Sequence, residues 1–303
     1  MVKSKLSRIG DWGFVIVCII VMLVCLLPMV NLLSQSLSSS ESIINRKVTF
    51  WPVIYDEDTR SYGFGATLLS YRYVFMDPSF SRAMYWTAIL TVICTIWSLT
   101  MTILCAYPLT YSWLKGRGII NTIIIFTMYF GAGTIPNYIL MKNLHLLNNP
   151  LVLILPGCLG VFNMIILRSF FYSIPDSLRE SAEIDGANPF SVLVRIYLPL
   201  STPVLATLAL FYAVGRWNGF SDALLYINSA PQYVPIQLKL YQLMNNMASI
   251  EMATQEMVSG TVPKASDSIK AAAIMFATVP ILVVYPWLQR YFIKGVTMGA
   301  IKE

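Results

Sequence analysis

The stretch SIPDSLRESAEIDGANPFSVLVRIYLPLSTP, residues 173–203, decides the fold because its pattern encodes two short helices with a break between them. Ser177 followed three residues later by Glu180 fits a capping box, in which each side chain satisfies a backbone N–H near the other. Asp176 adds negative charge where the helix dipole is positive. The pattern predicts that the first helix begins at Ser177, and we call residues 173–200 the elbow.

Three residues mark the break between the two helices. Gly186 supplies the flexible or left-handed backbone position at which helices commonly end. Asn188 and Pro189 then restart a helix, as a cap and a first-turn proline do. The second helix presents four apolar side chains, which are Phe190, Leu193, Val194 and Tyr197. We therefore predict a rigid helical elbow rather than a flexible linker.

The composition around the elbow is that of a membrane protein. Of 303 residues, 56% are hydrophobic and only 12% are charged, whereas a soluble domain carries about 25% charged residues. Several apolar stretches approach or exceed the roughly 20 residues that a helix needs to cross a bilayer. We predict an all-α, polytopic membrane protein with one domain over residues 1–303. Its six spans are predicted at about 13–33, 83–110, 119–140, 151–171, 201–220 and 271–291.

Basic residues in the short segments predict the orientation, because cytoplasmic segments carry an excess of Lys and Arg. The long loops, about 34–82 and 221–270, are weak indicators. The informative residues precede span one, separate spans two and three, or follow span six: Lys3, Lys5, Arg8, Lys115, Arg117, Lys294 and Lys302. We expect both termini and the elbow in the cytoplasm, with the first span retained rather than cleaved as a signal peptide.

Other classes of protein fit the sequence poorly. The net charge of +6 could suggest nucleic acid, but the basic residues are scattered among loops without a basic stripe. An intramembrane enzyme is an alternative, yet the single histidine, His145, has no nucleophile motif or carboxylate close in sequence. No metal-ligand motif occurs. The cysteines are interpreted as small buried hydrophobes: Cys18, Cys25, Cys94, Cys105 and Cys158.

The energy source must lie outside this chain if it transports a solute. None of the six apolar segments contains Asp or Glu, although cation-coupled carriers usually need such a group inside the membrane. The chain also lacks a GxxxxGK[ST] phosphate loop, so it has no visible means of binding ATP. Energy is expected to arrive through a partner, and an elbow outside the membrane suits that task.

The elbow resembles the EAA loop of ABC importer permeases. The pattern runs Glu-Ala-Ala, three residues to Gly, then Ile-x-Leu-Pro, and the chain departs from it only at Ser181, a small residue in an alanine position. The matching residues are Glu180, Ala182, Asp185, Gly186, Ala187, Phe190, Ile196, Leu198 and Pro199. The flanking FGAGTIPNYILMKNLHLLNNPLVLILPG from Phe130 and RWNGFSDALLYINSAPQYVPIQLKLY from Arg216 look like carbohydrate permeases of the maltose type.

The resemblance implies a type I importer permease of the bacterial cell membrane that moves oligosaccharides. It implies as partners a second, homologous permease, a dimer of cytoplasmic ATPase subunits, and an extracellular solute-binding protein. No cofactor is expected in this chain, since ATP and Mg would bind the ATPase. Contact with the ATPase would fall to Glu180, Ser181, Ala182, Asp185, Gly186 and Ala187. A permease for peptides or amino acids would share the elbow, and a scaffold or receptor without transport activity is a further alternative.

Four residues are candidates for lining the translocation path: Phe130, Asn137, Trp217 and Asn218. Span three contains glycines and a proline that can open its backbone, and such irregularity is tolerated only against protein or a wet cavity. Amides can hydrogen-bond sugar hydroxyls, and aromatic rings can stack on their C–H faces. Interhelical packing or an interfacial aromatic belt is the alternative interpretation for each residue.

Overall fold

The computed structural model describes residues 5–56, 60–255 and 266–300, which are mostly helical. The predicted all-α class is confirmed, with one two-stranded hairpin as the exception. Lys3 and Lys302, two of the residues that predict the orientation, lie outside the described residues.

The helices are α1 Lys5–Ser36, α2 Ser40–Ile44, α3 Leu69–Met76, α4 Pro78–Ala106, α5 Arg117–Tyr129, α6 Thr134–Asn143, α7 Leu151–Ile154, α8 Val161–Ser173, α9 Asp176–Ile184, α10 Pro189–Val192, α11 Leu198–Leu200, α12 Thr202–Asn218, α13 Ser221–Tyr226, α14 Ile236–Gln255 and α15 Ser266–Ala300.

Three of the described helices are long and apolar enough to cross a membrane unaided. They cover Trp12–Ser36, Pro78–Thr110 and Asp267–Val284. Two further candidates are bent pairs, so the described residues contain three candidate spans, or five if each pair counts as one. The predicted count of six transmembrane helices is therefore not confirmed, and the reason lies in spans three, four and five.

Span three, predicted as one helix over 119–140, is two helices. Helices α5 and α6 meet at an angle of 113°. Gly133 lies at the break with φ 89° and ψ 172°, a conformation that L-residues rarely adopt. Span five, predicted over 201–220, is the single helix α12, which meets the preceding segment Pro189–Leu200 at an angle of 84°. The bend falls at Ser201, between two prolines of the predicted elbow exit.

Span four, predicted over 151–171, is also not a single helix. Helices α7 and α8 are separated by residues 155–160, where Gly157 has a φ of 70°. Gly160 precedes α8, and its N–H donates to the Tyr212 hydroxyl at 3.1 Å. A Cβ at Gly160 would lie 3.0 Å from that oxygen. A larger residue at this position would therefore have to displace the Tyr212 hydroxyl by a few tenths of an ångström.

The chain forms two compact units. The first comprises Met1–Ser81 and Leu240–Val279, and the second comprises Arg82–Lys239 and Pro280–Glu303. The single membrane domain predicted for residues 1–303 stays a prediction.

In the first unit, the loop after α1 folds into an antiparallel hairpin that the sequence did not predict. Strand β1 (Val53–Asp56) pairs with β2 (Ser61–Phe64), with Val53 opposite Phe64. Serine hydroxyls hold this hairpin to the end of α1: the Ser34 hydroxyl donates to the Phe50 carbonyl at 2.6 Å, and the Ser38 hydroxyl accepts from the Val53 N–H at 3.0 Å. We call residues 34–42 the serine segment.

The second unit contains two clusters of buried apolar side chains. One surrounds the elbow and includes Tyr107, Met164, Phe171 and Tyr197. The other packs α4 against α7, α13 and the start of α14, and includes Leu90, Val152, Ala223 and Leu238. The elbow is thus attached to a packed core rather than suspended from the ends of α8 and α12.

Candidate functional site

The first helix of the elbow, α9, begins at Asp176, earlier than the predicted cap, and Ser177 lies inside it. The predicted capping box is therefore wrong. Pro175 already supplies the extended backbone that precedes a helix, with φ −59° and ψ 131°. Asp176 occupies the first turn, where its charge complements the helix dipole, and Arg179 holds it there at 2.9 Å.

The end of α9 follows the sequence prediction. Gly186 has a φ of 81°, which confirms the left-handed position. Its N–H donates to the Glu183 carbonyl at 3.1 Å, and the Ala187 N–H donates to the Ala182 carbonyl at 2.9 Å. This pair of bonds is a Schellman motif. Ala182 and Ala187 both pack against the cluster around the elbow, so the motif fixes the elbow to the core.

The second helix of the elbow also begins as predicted. The Asn188 side-chain oxygen accepts from the Ser191 N–H at 2.8 Å, and Pro189 stands at the first helical position. The chain continues as a π-helical turn over Leu193–Tyr197 before α11. Of the four apolar side chains predicted on this helix, two are buried and two are exposed: Leu193 and Tyr197, then Phe190 and Val194.

The six predicted coupling residues divide between the two surfaces of the elbow. Four are exposed and two are half-buried: Glu180, Ser181, Asp185 and Gly186, then Ala182 and Ala187. Ile184 lies among the exposed ones and is 86% exposed. Within the part of the chain that the structure describes, Glu180 and Asp185 form no ion pair. The exposed surface of the elbow therefore carries the unpaired carboxylates of Glu180 and Asp185 together with the exposed apolar side chain of Ile184.

Tyr107, at the end of span two, connects that span to the elbow. Its hydroxyl donates to the Pro189 carbonyl at 2.9 Å and lies 2.6 Å from the Tyr111 hydroxyl. Its ring meets those of Phe171 and Tyr197 edge-on, with centroids 6.2 and 5.1 Å away. One tyrosine thus contacts α8 and both ends of the second elbow helix.

Arg179 connects the first elbow helix to the same place. Its guanidinium lies 5.0 Å from the centroid of the Tyr111 ring, a distance at which a cation–π attraction operates. Burial alone would lower the pKa of Arg179, but Asp176, Glu183 and the neighbouring tyrosines together raise it. The charge that holds the first helix against Tyr111 is therefore stable.

The sequence analysis missed this connection, which we call the tyrosine joint: Tyr107, Tyr111 and Arg179. Tyr107 and Tyr111 are four residues apart, a spacing that would place both rings on one face of a continuing helix. That spacing was the only available signal. The contacts with Pro189 and Arg179 depend on tertiary structure and cannot be predicted from the local sequence pattern.

Tyr107→Phe is expected to loosen the elbow without unfolding the chain. The change removes one of the two hydrogen bonds to the Pro189 carbonyl, which keeps the Leu193 N–H. It leaves the buried Tyr111 hydroxyl without its partner, at a cost of about 1–3 kcal/mol. Amide hydrogen exchange over residues 189–197 should accelerate. Tyr172→Phe is the matched control, because its hydroxyl also donates to a carbonyl, that of Leu109, but from an exposed ring. If amide hydrogen exchange over residues 189–197 were equally fast in Tyr107→Phe and Tyr172→Phe, Tyr107 would have no specific role in holding the elbow.

The path candidates on span three lie on either side of its break. Phe130 follows α5, is exposed, and stacks on Phe126 with ring centroids 4.2 Å apart. Asn137 lies in the first turns of α6 and is exposed. An aromatic pair and an amide beside an opened backbone suit a sugar, as predicted, but their role stays a prediction.

The path candidates on span five have different surroundings. Trp217 is buried and lines a cavity of about 290 Å³ whose other walls are almost wholly apolar. Asn218 is exposed, and its side chain donates to the Val214 carbonyl at 3.0 Å. The apolar cavity suits a hydrocarbon better than a sugar, so Asn218 remains the better placed of the two for contact with a polar solute.

Arg216 is a charged residue at the end of α12 whose guanidinium is almost enclosed. Its side chain is 12% exposed, and it donates to Asp222 at 3.2 Å and to the Leu153 carbonyl at 3.4 Å. The pair therefore joins α12 to α13 and to the end of α7. Arg168 on α8 similarly donates to Asn121 on α5. Both arginines therefore connect neighbouring helices through side-chain hydrogen bonds.

In the described ranges, no group of His, Cys, Asp and Glu side chains could hold a metal ion. The site is therefore built from an exposed helical elbow, bent apolar spans and the tyrosine joint.

The chain belongs to the family of binding-protein-dependent transport system inner membrane components, whose profile matches residues 3–298. The resemblance to ABC importer permeases is thereby confirmed, as is a place in the membrane. Members of the family are transport subunits rather than enzymes.

Relatives match over the full length of the chain. It is 36% identical over 300 residues to the polygalacturonan/rhamnogalacturonan transport system permease protein YtcP of Bacillus subtilis, covering 99% of both chains. It is 38% identical over 307 residues to Protein LplC of Bacillus subtilis, covering 100% of this chain and 98% of the relative. A solved bacterial ABC transporter involved in the import of the acidic polysaccharide alginate matches with a TM-score of 0.82 and 29% identity, covering 96% of this chain and 99% of that chain.

Proposed function

We propose that this chain is one of two unlike permease subunits of an ATP-driven importer for oligosaccharides. An external binding protein delivers the sugar, the two permeases enclose its path, and a dimer of ATPase subunits, which binds ATP and Mg, drives them through the elbow. Both termini and the elbow face the cytoplasm. The single observation that carries the proposal is the two-sided elbow: Ala182 and Ala187 fix it to the core, while Glu180, Ile184 and Asp185 point outward.

The coupling role is tested in the complex that co-purifies with the chain, reconstituted in lipid with loaded binding protein. Glu180→Ala is expected to abolish most of the stimulated ATP hydrolysis, because an exposed carboxylate without an internal partner is available to the ATPase. Glu41→Ala, an exposed carboxylate on α2, is the matched control and should leave hydrolysis unchanged. Unchanged hydrolysis in Glu180→Ala, or absence of any co-purified ATPase, would contradict the coupling role.

Acidic oligosaccharides are the first substrates to test. Two of the similar proteins are named for polygalacturonan and for alginate. Uptake of short galacturonides should exceed that of maltodextrins and of peptides. Preference for peptides would instead favour the alternative of a peptide permease, and uptake that does not depend on ATP would overturn the importer itself.

A further inference from the structure

A groove lies where span two ends, between residues 107–114 and the second helix of the elbow. Its volume is about 240 Å³, and its walls are almost wholly apolar and aromatic. Trp113 and Phe190 stand on its walls and are 69% and 68% exposed. Two large exposed aromatic side chains beside an open apolar groove indicate an occupant that the isolated chain does not provide.

The position of the groove along span two indicates the chemistry of that occupant. The apolar candidate span ends at Thr110, three residues before Trp113. Tryptophan is enriched at this level of membrane proteins, where acyl chains meet the polar head groups. Leu104, inside the span, lines the deeper part of the groove. We therefore expect the groove to extend from the hydrocarbon core to the level of the head groups.

Two cations follow the groove residues in the chain. Lys115 and Arg117 follow the groove residues Trp113 and Leu114 directly, and residues 107–118 contain no carboxylate. Among the residues that the structure describes, neither cation forms an ion pair, and Arg117 only approaches the hydroxyl of Tyr172, at 3.4 Å. Unpaired Lys and Arg beside an apolar groove complement an anionic head group attached to an acyl chain.

We propose that this groove binds one anionic phospholipid of the surrounding bilayer, with an acyl chain between Trp113 and Phe190 and the phosphate near Lys115 and Arg117. A protein partner would need acidic side chains matched to the same two cations together with an apolar ridge, whereas the bilayer supplies both parts in one molecule. The lipid would rest against Tyr107 and Pro189, whose hydrogen bond joins span two to the elbow. Lipid composition would thereby influence the elbow.

Quenching of tryptophan fluorescence by brominated lipids tests the proposal on the full chain reconstituted in vesicles. The protein has seven tryptophans, so the signal of Trp113 is the difference between the wild type and Trp113→Phe. That substitution touches an exposed ring and should preserve the fold. We expect brominated phosphatidylglycerol to quench this signal about twofold more than brominated phosphatidylcholine at equal mole fraction, because the two cations favour the anionic head group.

Variants of the cations separate specific binding from general lipid contact. Lys115→Gln with Arg117→Gln should abolish the preference for phosphatidylglycerol, whereas Lys142→Gln, which changes a basic residue at the end of α6, should retain it. Equal quenching by both lipids in the wild type would reduce the groove to ordinary lipid contact and overturn the proposal. Absence of quenching by either lipid would overturn it too, since the groove would then lie outside the bilayer or beneath a protein.

Discussion

A chain that carries Gly186→Val is expected to insert and assemble but to support only about a tenth of wild-type uptake and stimulated ATP hydrolysis. Gly186 has a φ of 81°, and the left-handed region costs other residues roughly 1–2 kcal/mol, where 1.4 kcal/mol corresponds to a factor of about ten. A Cβ at Gly186 would meet nothing within 4 Å. The loss of activity is therefore expected to come from the backbone. A different conformation at position 186 would break the hydrogen bonds of the Schellman motif and displace Ala187 from the core.

Two further variants separate backbone conformation from bulk. Gly186→Asn should retain most of the activity, because asparagine tolerates the left-handed region better than other residues do. Gly118→Val adds the same side chain to a helical glycine that also has open space around it, and should be close to wild type. If asparagine proved as harmful as valine at position 186, the conformational explanation would be wrong, and direct contact at that surface would replace it.

Arg216→Met is expected to destabilise the chain by about 2 kcal/mol, because it leaves the Asp222 carboxylate without its counter-ion. A fully buried pair would lose more, but Asp222 is 33% exposed, so water compensates in part. The change also removes the bond to the Leu153 carbonyl. The measurement is thermal stability in detergent: the purified chain is heated, and the fraction that stays soluble and monodisperse is followed. The midpoint temperature of its loss should fall.

The double variant Arg216→Met with Asp222→Leu is expected to recover more than half of that loss. Replacing both members of an ion pair with apolar groups of similar size is often neutral, whereas removing one member leaves a charge unpaired. Arg195→Met, on an exposed arginine of the elbow, is the control and should leave the midpoint unchanged. A double variant as unstable as Arg216→Met would show that the Leu153 bond, and not the charge pair, stabilises this end of α12.

The elbow was predicted well where its structure depends on single residues. Gly186, Asn188 and Pro189 each impose a backbone state through their own covalent structure, so their positions could be read without knowledge of the rest of the chain. The start of α9 was predicted wrongly, because Ser177 and the proline at 175 offer competing ways to begin a helix. Sequence pattern alone does not show that the Arg179–Asp176 pair favours the earlier start.

The breaks inside the predicted spans could not be predicted from composition. Apolar composition does not show whether a helix is continuous, so residues 119–140 and 151–171 were each assigned one helix, and the structure breaks both. The glycines at 131 and 133 signalled that span three could open, but the angle of 113° depends on packing. The tyrosine joint was missed for a related reason, since it joins residues as distant in sequence as 107 and 189.

The serine segment has a consequence for the order of synthesis. The hydrogen bonds that hold the hairpin beside α1 connect residues between Asn31 and Tyr71, among them the contact of 2.9 Å between the hydroxyls of Ser36 and Tyr71. All of these residues precede α4 in the chain. The hairpin can therefore close as soon as the first helix has been released into the bilayer, while the ribosome is still producing the second span. A nascent chain would thus carry this hairpin before most of its helices exist, whereas the contact of 3.1 Å between the hydroxyls of Ser40 and Ser268 forms later.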